Sequence, residues 1–186
     1  MTTRYAALLR GVNVGGHKKV PMAALREVLG ELGFGEVSTH LQSGNAAFSH
    51  EPADEAALAA ELEAAIERRF GFRVDCLVRD GRYLRAVVDD CPFPAAGLEP
   101  RQLHVTYFSE PVAPERFAAL APADFAPEEF RLGARALYLY APDGLGRSKL
   151  GAALARPALN KGLVATTRNW NTVVRLAELT APGRPG

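Results

Sequence analysis

Two stretches of the chain collect basic side chains without one acid among them. Residues 1–26 hold Arg4, Arg10, Lys18, Lys19 and Arg26, and residues 144–177 hold Arg147, Lys149, Arg156, Lys161, Arg168 and Arg175. Glycine and asparagine are threaded through both: Gly11-Val-Asn-Val-Gly-Gly-His-Lys-Lys19 in the first, Asp143-Gly-Leu-Gly-Arg-Ser-Lys149 and Thr166-Thr-Arg-Asn-Trp-Asn171 in the second. These are the parts of an anion site. Glycines let a backbone approach an anion, and successive N–H groups form a concave nest. Arginine adds a planar fork of donors that matches phosphate or carboxylate, and lysine adds a compact charge. Helix N-termini expected at Pro21, Ser148 and Asn169 bring unpaired N–H groups and a positive dipole end.

The candidate ligand-binding residues are therefore Arg10, Asn13, Gly15, Gly16, Lys18, Lys19, Ser43 and Asn45 at one edge. At the other they are Arg147, Ser148, Lys149, Thr167, Arg168, Asn169, Trp170 and Asn171. The asparagines can read a ligand through their amides, or serve turns and a helix cap instead. Trp170 can stack on a planar ligand or anchor the last helix in the core. The glycines do not complete a nucleotide motif: Gly144-x-Gly146 lacks the third glycine of the dinucleotide fingerprint, and no G-x-x-x-x-G-K-[ST] occurs.

Other chemistries find less. His17, His40, His50 and His104 have no i, i+4 pair and read as surface or hairpin histidines, so no metal site is expected. Cys76 falls on the apolar side of a strand, where a thiol is a small hydrophobe. Cys91 precedes a proline with no evident base beside it, as a nucleophile would need. Ser43 lies in Gln-Ser-Gly-Asn rather than G-x-S-x-G. No catalytic residue and no cofactor is assigned.

The elements that must position these residues follow from periodicity. Residues 4–10 read as a strand, and Pro21 opens a helix whose stripe is Met22, Leu25, Leu29 and Leu32, closed by Gly33. Residues 36–42 and 45–49 read as strands joined at Ser43-Gly44. Residues 53–70 are helical and 73–78 alternate as a strand. A helix is expected at 81–88, then a strand at 103–108, a helix near 114–120, and strands at 129–132 and 135–140. Ser148 caps a helix to about Ala155, 163–167 is a strand, and 169–179 the last helix. The expected fold is α+β, with two tandem ferredoxin-like βαββαβ units and an extra C-terminal helix. The divisions are 1–90, a Pro-rich connection at 91–100, a second unit at 101–180, and a loose tail at 181–186. That topology brings the Gly11–Lys19 loop beside the turn at 42–45, and the Asp143–Lys149 loop beside 166–171.

The run Met1-x-x-Arg4-Tyr-Ala-Ala-Leu-Leu-Arg-Gly-Val-Asn-Val-Gly-Gly-His-Lys-Lys-Val-Pro-Met22 resembles the opening of a bacterial family known as domain of unknown function 1697. The likeness continues through Leu41-Gln-Ser-Gly-Asn45, Pro92-Phe-Pro94, Ala136–Leu150 and Ala165–Val173. It implies an intracellular protein with paired α+β halves and no particular activity. Cys91 stands where the family more often has Asn before Pro-Phe, which argues against a shared role for that thiol. Ala46-Ala47 replaces a bulkier β-branched pair.

The 186 residues are 48% hydrophobic and 23% charged with a net charge of +1, an ordinary globular composition. Two cysteines exclude a disulfide framework. Apolar runs fall short of the roughly 20 residues of a membrane span, so no membrane partner is expected. The opening Met1-Thr2-Thr3-Arg4-Tyr5 carries no cleavage-site pattern, and the expected location is the cytoplasm. The functional expectation is a module binding an anionic partner, either nucleic acid or a phosphorylated small molecule. Tyr5, Tyr107 and Phe108 do not build the aromatic pair of an RNA-recognition sheet. One alternative is an enzyme on a small anionic substrate, with Asp143 and His17 as the local titrating groups. Another is a structural or interaction protein whose motif residues are buried and bonded internally.

Overall fold

A computed structural model describes residues 1–40 and 44–183. The chain divides into two units: residues 1–85 with 176–186, and residues 86–175.

The first unit runs β1 (Thr3–Leu9), α1 (Met22–Glu31), β2 (Gly35–His40), β3 (Asn45–His50), α2 (Glu55–Phe70) and β4 (Cys76–Asp80). Its sheet has the order β2-β3-β1-β4, antiparallel throughout. Alternation along β1 sends Tyr5, Ala7 and Leu9 into a core with Ala46, Phe48 and Val78. Leu25 and Leu29 of α1 and Leu58, Leu62 and Ile66 of α2 close that core. Ala6, Leu8 and Ala47, on the opposite face, are also fully buried. Helix α1 ends as its sequence predicts: Gly33 takes φ +82° and Phe34 N–H reaches back to Leu29 O at 3.1 Å. Helix α2 is opened by Asp54, whose carboxylate accepts from Ala57 N–H at 2.9 Å, and ends at Gly71 with φ +80°. The outward edge of β4 is covered by α2 glutamates, Glu63 accepting from Cys76 N–H and Glu55 from Asp80 N–H, each at 2.9 Å.

A helix α3 (Gly81–Asp89) follows, and the division between the units falls within it. The second unit runs β5 (Leu103–Phe108), β6 (Glu129–Gly133), β7 (Ala136–Tyr140), α4 (Lys149–Leu154) and β8 (Ala165–Asn169). Helix α5 (Trp170–Leu179) contains the second division. The sheet order β6-β7-β5-β8 is again antiparallel and repeats the arrangement of the first. Phe108, Leu137 and Leu139 form its core with Phe117, Leu150 and Ala153. The whole is an α+β protein with two four-stranded antiparallel sheets.

Several boundaries differ from the sequence reading. The segment near 114–120 is a short 3-10 turn at Pro114–Phe117, held by i→i+3 bonds such as Ala118 N–H to Glu115 O. Strand β4 begins at Cys76 rather than 73, because its ladder partner β1 ends at Leu9. Strand β8 is shifted to 165–169, because residue 163 is turned back by its bond to Asn160 O at 3.0 Å. Strand β2 ends at His40, which pairs with Asn45, and the expected turn serine Ser43 lies outside the described residues.

Candidate functional site

The first candidate edge is a small protruding hairpin rooted in β1. Asn13 builds it. Its amide accepts from Val20 N–H at 2.8 Å and donates to Val20 O at 2.9 Å, while its own N–H donates to Lys18 O at 3.1 Å. The side chain thus imitates a strand neighbour and clamps the loop ends together. Within the clamp Val14 and His17 form a bridge across Gly15-Gly16. Both glycines have positive φ, +59° and +76°, as a type I′ turn requires.

The start of the loop does lie beside Gly44, as the topology predicts, while residues 42 and 43 of the expected turn lie outside the described residues. Leu9 N–H donates to Gly44 O at 2.8 Å, and Gly44 lies directly against Val12 and Leu9. Asn45 is fully buried, with its amide on His40 O at 3.1 Å. It therefore holds the β2–β3 connection and offers nothing to solvent. Arg10, Lys18 and Lys19 remain exposed, but two are tied to the α2–β4 connection. Arg10 sits 3.6 Å from Asp75, and Lys18 Nζ donates to Arg73 O at 2.7 Å.

The second edge gathers the C-terminal ends of β7 and β8 on either side of the start of β5. Tyr140 pairs with Leu103 and Asn169 with His104, so the loops that follow leave together. Here the expected anion nest at the start of α4 is already filled. Ser148 is buried and caps the helix by accepting from Gly151 N–H at 2.7 Å. Its hydroxyl donates to Glu128, whose second oxygen accepts from Lys149 N–H at 3.1 Å. A carboxylate thus occupies the positive end of a six-residue helix. Glu128 carries no sequence signal, because caps are read from the residues next to a helix and this acid arrives from twenty positions upstream.

Arg168 is buried, against the expectation that its charge meets a ligand. Its guanidinium donates to Thr166 Oγ1 at 2.6 Å and to Thr167 O at 3.0 Å. Burial pulls its pKa down to about 10, with Tyr107 acting in the opposite direction, so it stays charged near neutrality inside the sheet. Thr167 shares a 2.7 Å hydroxyl contact with Thr106. Asn169 caps α5 through Thr172 N–H at 3.1 Å. Arg147, Lys149 and Asn171 are exposed and Trp170 is half-buried.

Of the remaining reactive groups, Cys76 and His104 are buried and Cys91 is partly so. Burial first, then Glu63 and Asp75, push the Cys76 thiol far up. Burial also raises Cys91, against an opposing contact with the Phe93 carbonyl. His104 is buried rather than superficial, its Nδ1 has no hydrogen-bond partner, and burial lowers its pKa. Among the described residues no group of three or more His, Cys, Asp or Glu side chains is arranged around a common point for a metal ion. No described helix is long and apolar enough to cross a membrane.

The fold is shared with the structure of a conserved bacterial protein, SP0830, from Streptococcus pneumoniae. The two align over 97% of this chain and 99% of that one, with a TM-score of 0.76 and 23% sequence identity. At that identity the likeness speaks to the fold alone. No curated protein matches the chain. The family model described as protein of unknown function (DUF1697) matches residues 1–138, close to three quarters of the sequence, and the chain belongs to that family.

Proposed function

We propose that the protein is a binding module for a phosphate-bearing partner, with its two sheets acting as tandem ferredoxin-like units in the cytoplasm. One observation carries the reading. At each edge some polar motif residues turn inward, Asn13 and Asn45 on one and Ser148 and Arg168 on the other, while cations on the same loops stay exposed: Lys19 on one, Arg147 and Lys149 on the other. Because Glu128 already occupies the α4 N-terminus, the contacts to phosphate come from these side chains rather than from helix N–H groups. A nucleic acid and a phosphorylated small molecule present the same chemistry to such a site.

Fluorescence anisotropy with labelled RNA, single-stranded DNA and duplex DNA tests this from low to physiological salt. Binding that weakens as salt rises, and that drops in an Arg147→Ala/Lys149→Ala variant, supports a nucleic-acid partner. Competition by a mononucleotide or by inorganic polyphosphate separates a small phosphorylated ligand from a polymer. No binding of any of these at low salt would end the proposal. A second reading, in which the motifs serve folding and a protein contact, is favoured by the internal bonds of Asn13, Asn45, Ser148 and Arg168.

A further inference from the structure

The second edge keeps a polar group that the fold does not use. His104 shows only 7% of its surface, and its Nδ1 has no hydrogen-bond partner. Buried polar groups are nearly always paired, so an orphan of this kind calls for an explanation. Its neighbours in the sheet do not supply one. Leu139 lies opposite it on β7, and on β8 it faces Asn169. Residues directly opposite in an antiparallel pair share a face, with Cβ atoms about 4.5–5.5 Å apart. The amide oxygen of Asn169 accepts from Thr172 N–H, whereas its Nδ2 has no partner among the described residues. One row further along, the hydroxyls of Thr106 and Thr167 satisfy each other at 2.7 Å. The open polar groups are therefore His104 and Asn169, at the point where β8 ends and Asn169 meets solvent.

Those two side chains have the character of an anion site. The Asn169 amide offers two N–H donors, and an imidazole can donate from either nitrogen. An oxygen that enters between them supplies the partner that Nδ1 lacks. The shape then selects among phosphates. A ring with so little exposed surface is met by a group that enters end-on. A phosphodiester carries a substituent on both sides of its phosphorus, whereas a terminal phosphate carries one and presents three acceptor oxygens. Arg147 and Lys149 stand exposed on the loop that leaves β7 beside this row, and they add positive charge around it.

We propose that the second edge seats a terminal phosphate, a phosphate monoester, held by the Asn169 amide and the His104 imidazole. The proposal rests on the phosphate-binding reading and narrows its ligand. Fluorescence anisotropy at low salt tests it with one RNA oligonucleotide, labelled at its 3′ end and carrying either a 5′-phosphate or a 5′-hydroxyl. The phosphorylated form should bind about tenfold tighter, the effect of one hydrogen bond to a charged group. Competition by adenosine 5′-monophosphate then places the ligand among small molecules, and its absence among oligonucleotide ends. Adenosine competing equally well would overturn the proposal. Asn169→Asp keeps the α5 cap, because aspartate caps as well as asparagine, but it replaces the two donors by a negative charge. His104→Leu sets an apolar side chain of similar size beside Leu139. Each variant should melt no lower than the wild type and lose the tenfold preference. A purely structural role would move the melting midpoint and leave the preference intact. Equal affinity for the two oligonucleotides, or a preference that survives both variants, overturns the proposal. If such binding still falls in Arg147→Ala/Lys149→Ala, the broader phosphate reading stands without it; if neither oligonucleotide nor the mononucleotide binds, both fail.

Discussion

Replacing Gly44 by alanine separates two meanings of a motif glycine. If Gly44 were present so that a ligand could approach the backbone, a methyl there would remove binding and leave stability alone. The geometry argues otherwise. Gly44 has φ +84°, and a Cβ built on it would lie 2.6 Å from Val12 Cγ2 and 2.8 Å from Leu9 Cβ. Leu9 Cβ cannot swing away, because it is set directly on the backbone of β1. Nor can the turn back off, because its carbonyl receives Leu9 N–H at 2.8 Å. Left-handed strain costs about 1–2 kcal/mol for a residue with a Cβ. Forcing a methyl into the packed contact adds about 1–3 kcal/mol. Gly16 supplies the control: its φ is +76°, but nothing lies within 4 Å of its missing Cβ. Gly16→Ala therefore carries only the first cost. At roughly 2–4 °C per kcal/mol for a chain of this size, Gly44→Ala should melt about 4–8 °C below Gly16→Ala at the middle of the range. Thermal melts followed by circular dichroism measure the gap. Equal midpoints for the two variants would refute the steric reasoning.

Three further outcomes are expected. Asn13→Ala and Asn13→Gly both remove the two side-chain bonds to Val20, at about 1–3 kcal/mol in urea denaturation. The alanine variant should be worse by about 1 kcal/mol, because Asn13 sits at φ +56°, where glycine is at ease. Glu128→Ala should cost about 1–2 kcal/mol by uncapping α4, and hydrogen exchange should show faster loss at the Lys149 amide than at amides of α2. His104 sets a pH dependence. Its folded pKa lies below the ordinary value of about 6.5, so the unfolded chain binds the extra proton first. The stability it contributes is full above that value and is lost as pH falls from there towards the folded pKa. His104→Gln should flatten the melting midpoint across that window, and an unchanged slope would exclude His104 as its source.

What was legible in the sequence was what local rules encode. The helix stripes of Leu25–Leu29 and Leu58–Ile66, the cap at Ser148 and the glycine stop at Gly33 each depend on neighbours a few residues away. The order of elements then brought Gly44 to Leu9, and the 143–149 loop to the edge it shares with Asn169. What escaped was the long-range accounting of polar groups. Glu128 reaches α4 from a proline-punctuated loop, and Arg73 meets Lys18 across 55 positions. A buried arginine such as Arg168 looks the same in sequence as an exposed one. Its burial depends on which face of β8 it occupies, and a strand read at 163–167 leaves Arg168 outside it. His104 escaped for the same reason, since alternation alone does not say whether both faces of a strand are covered. The candidate residues were legible as two loop clusters, but not their sorting into those that hold the fold and those that face solvent.

That sorting is tested most directly by reading stability and affinity together on two variants. Asn45→Ala removes a fully buried amide, and Arg147→Ala/Lys149→Ala removes two exposed cations. Melting midpoints and anisotropy against labelled single-stranded RNA at low salt are taken from the same preparations. Asn45→Ala is expected to melt lower and to bind as the wild type does once corrected for folded fraction. The double cation variant is expected to melt with the wild type and to bind more weakly. A cation variant that binds undiminished, or an Asn45→Ala chain that is fully folded and no longer binds, would contradict the division between inward and outward motif residues.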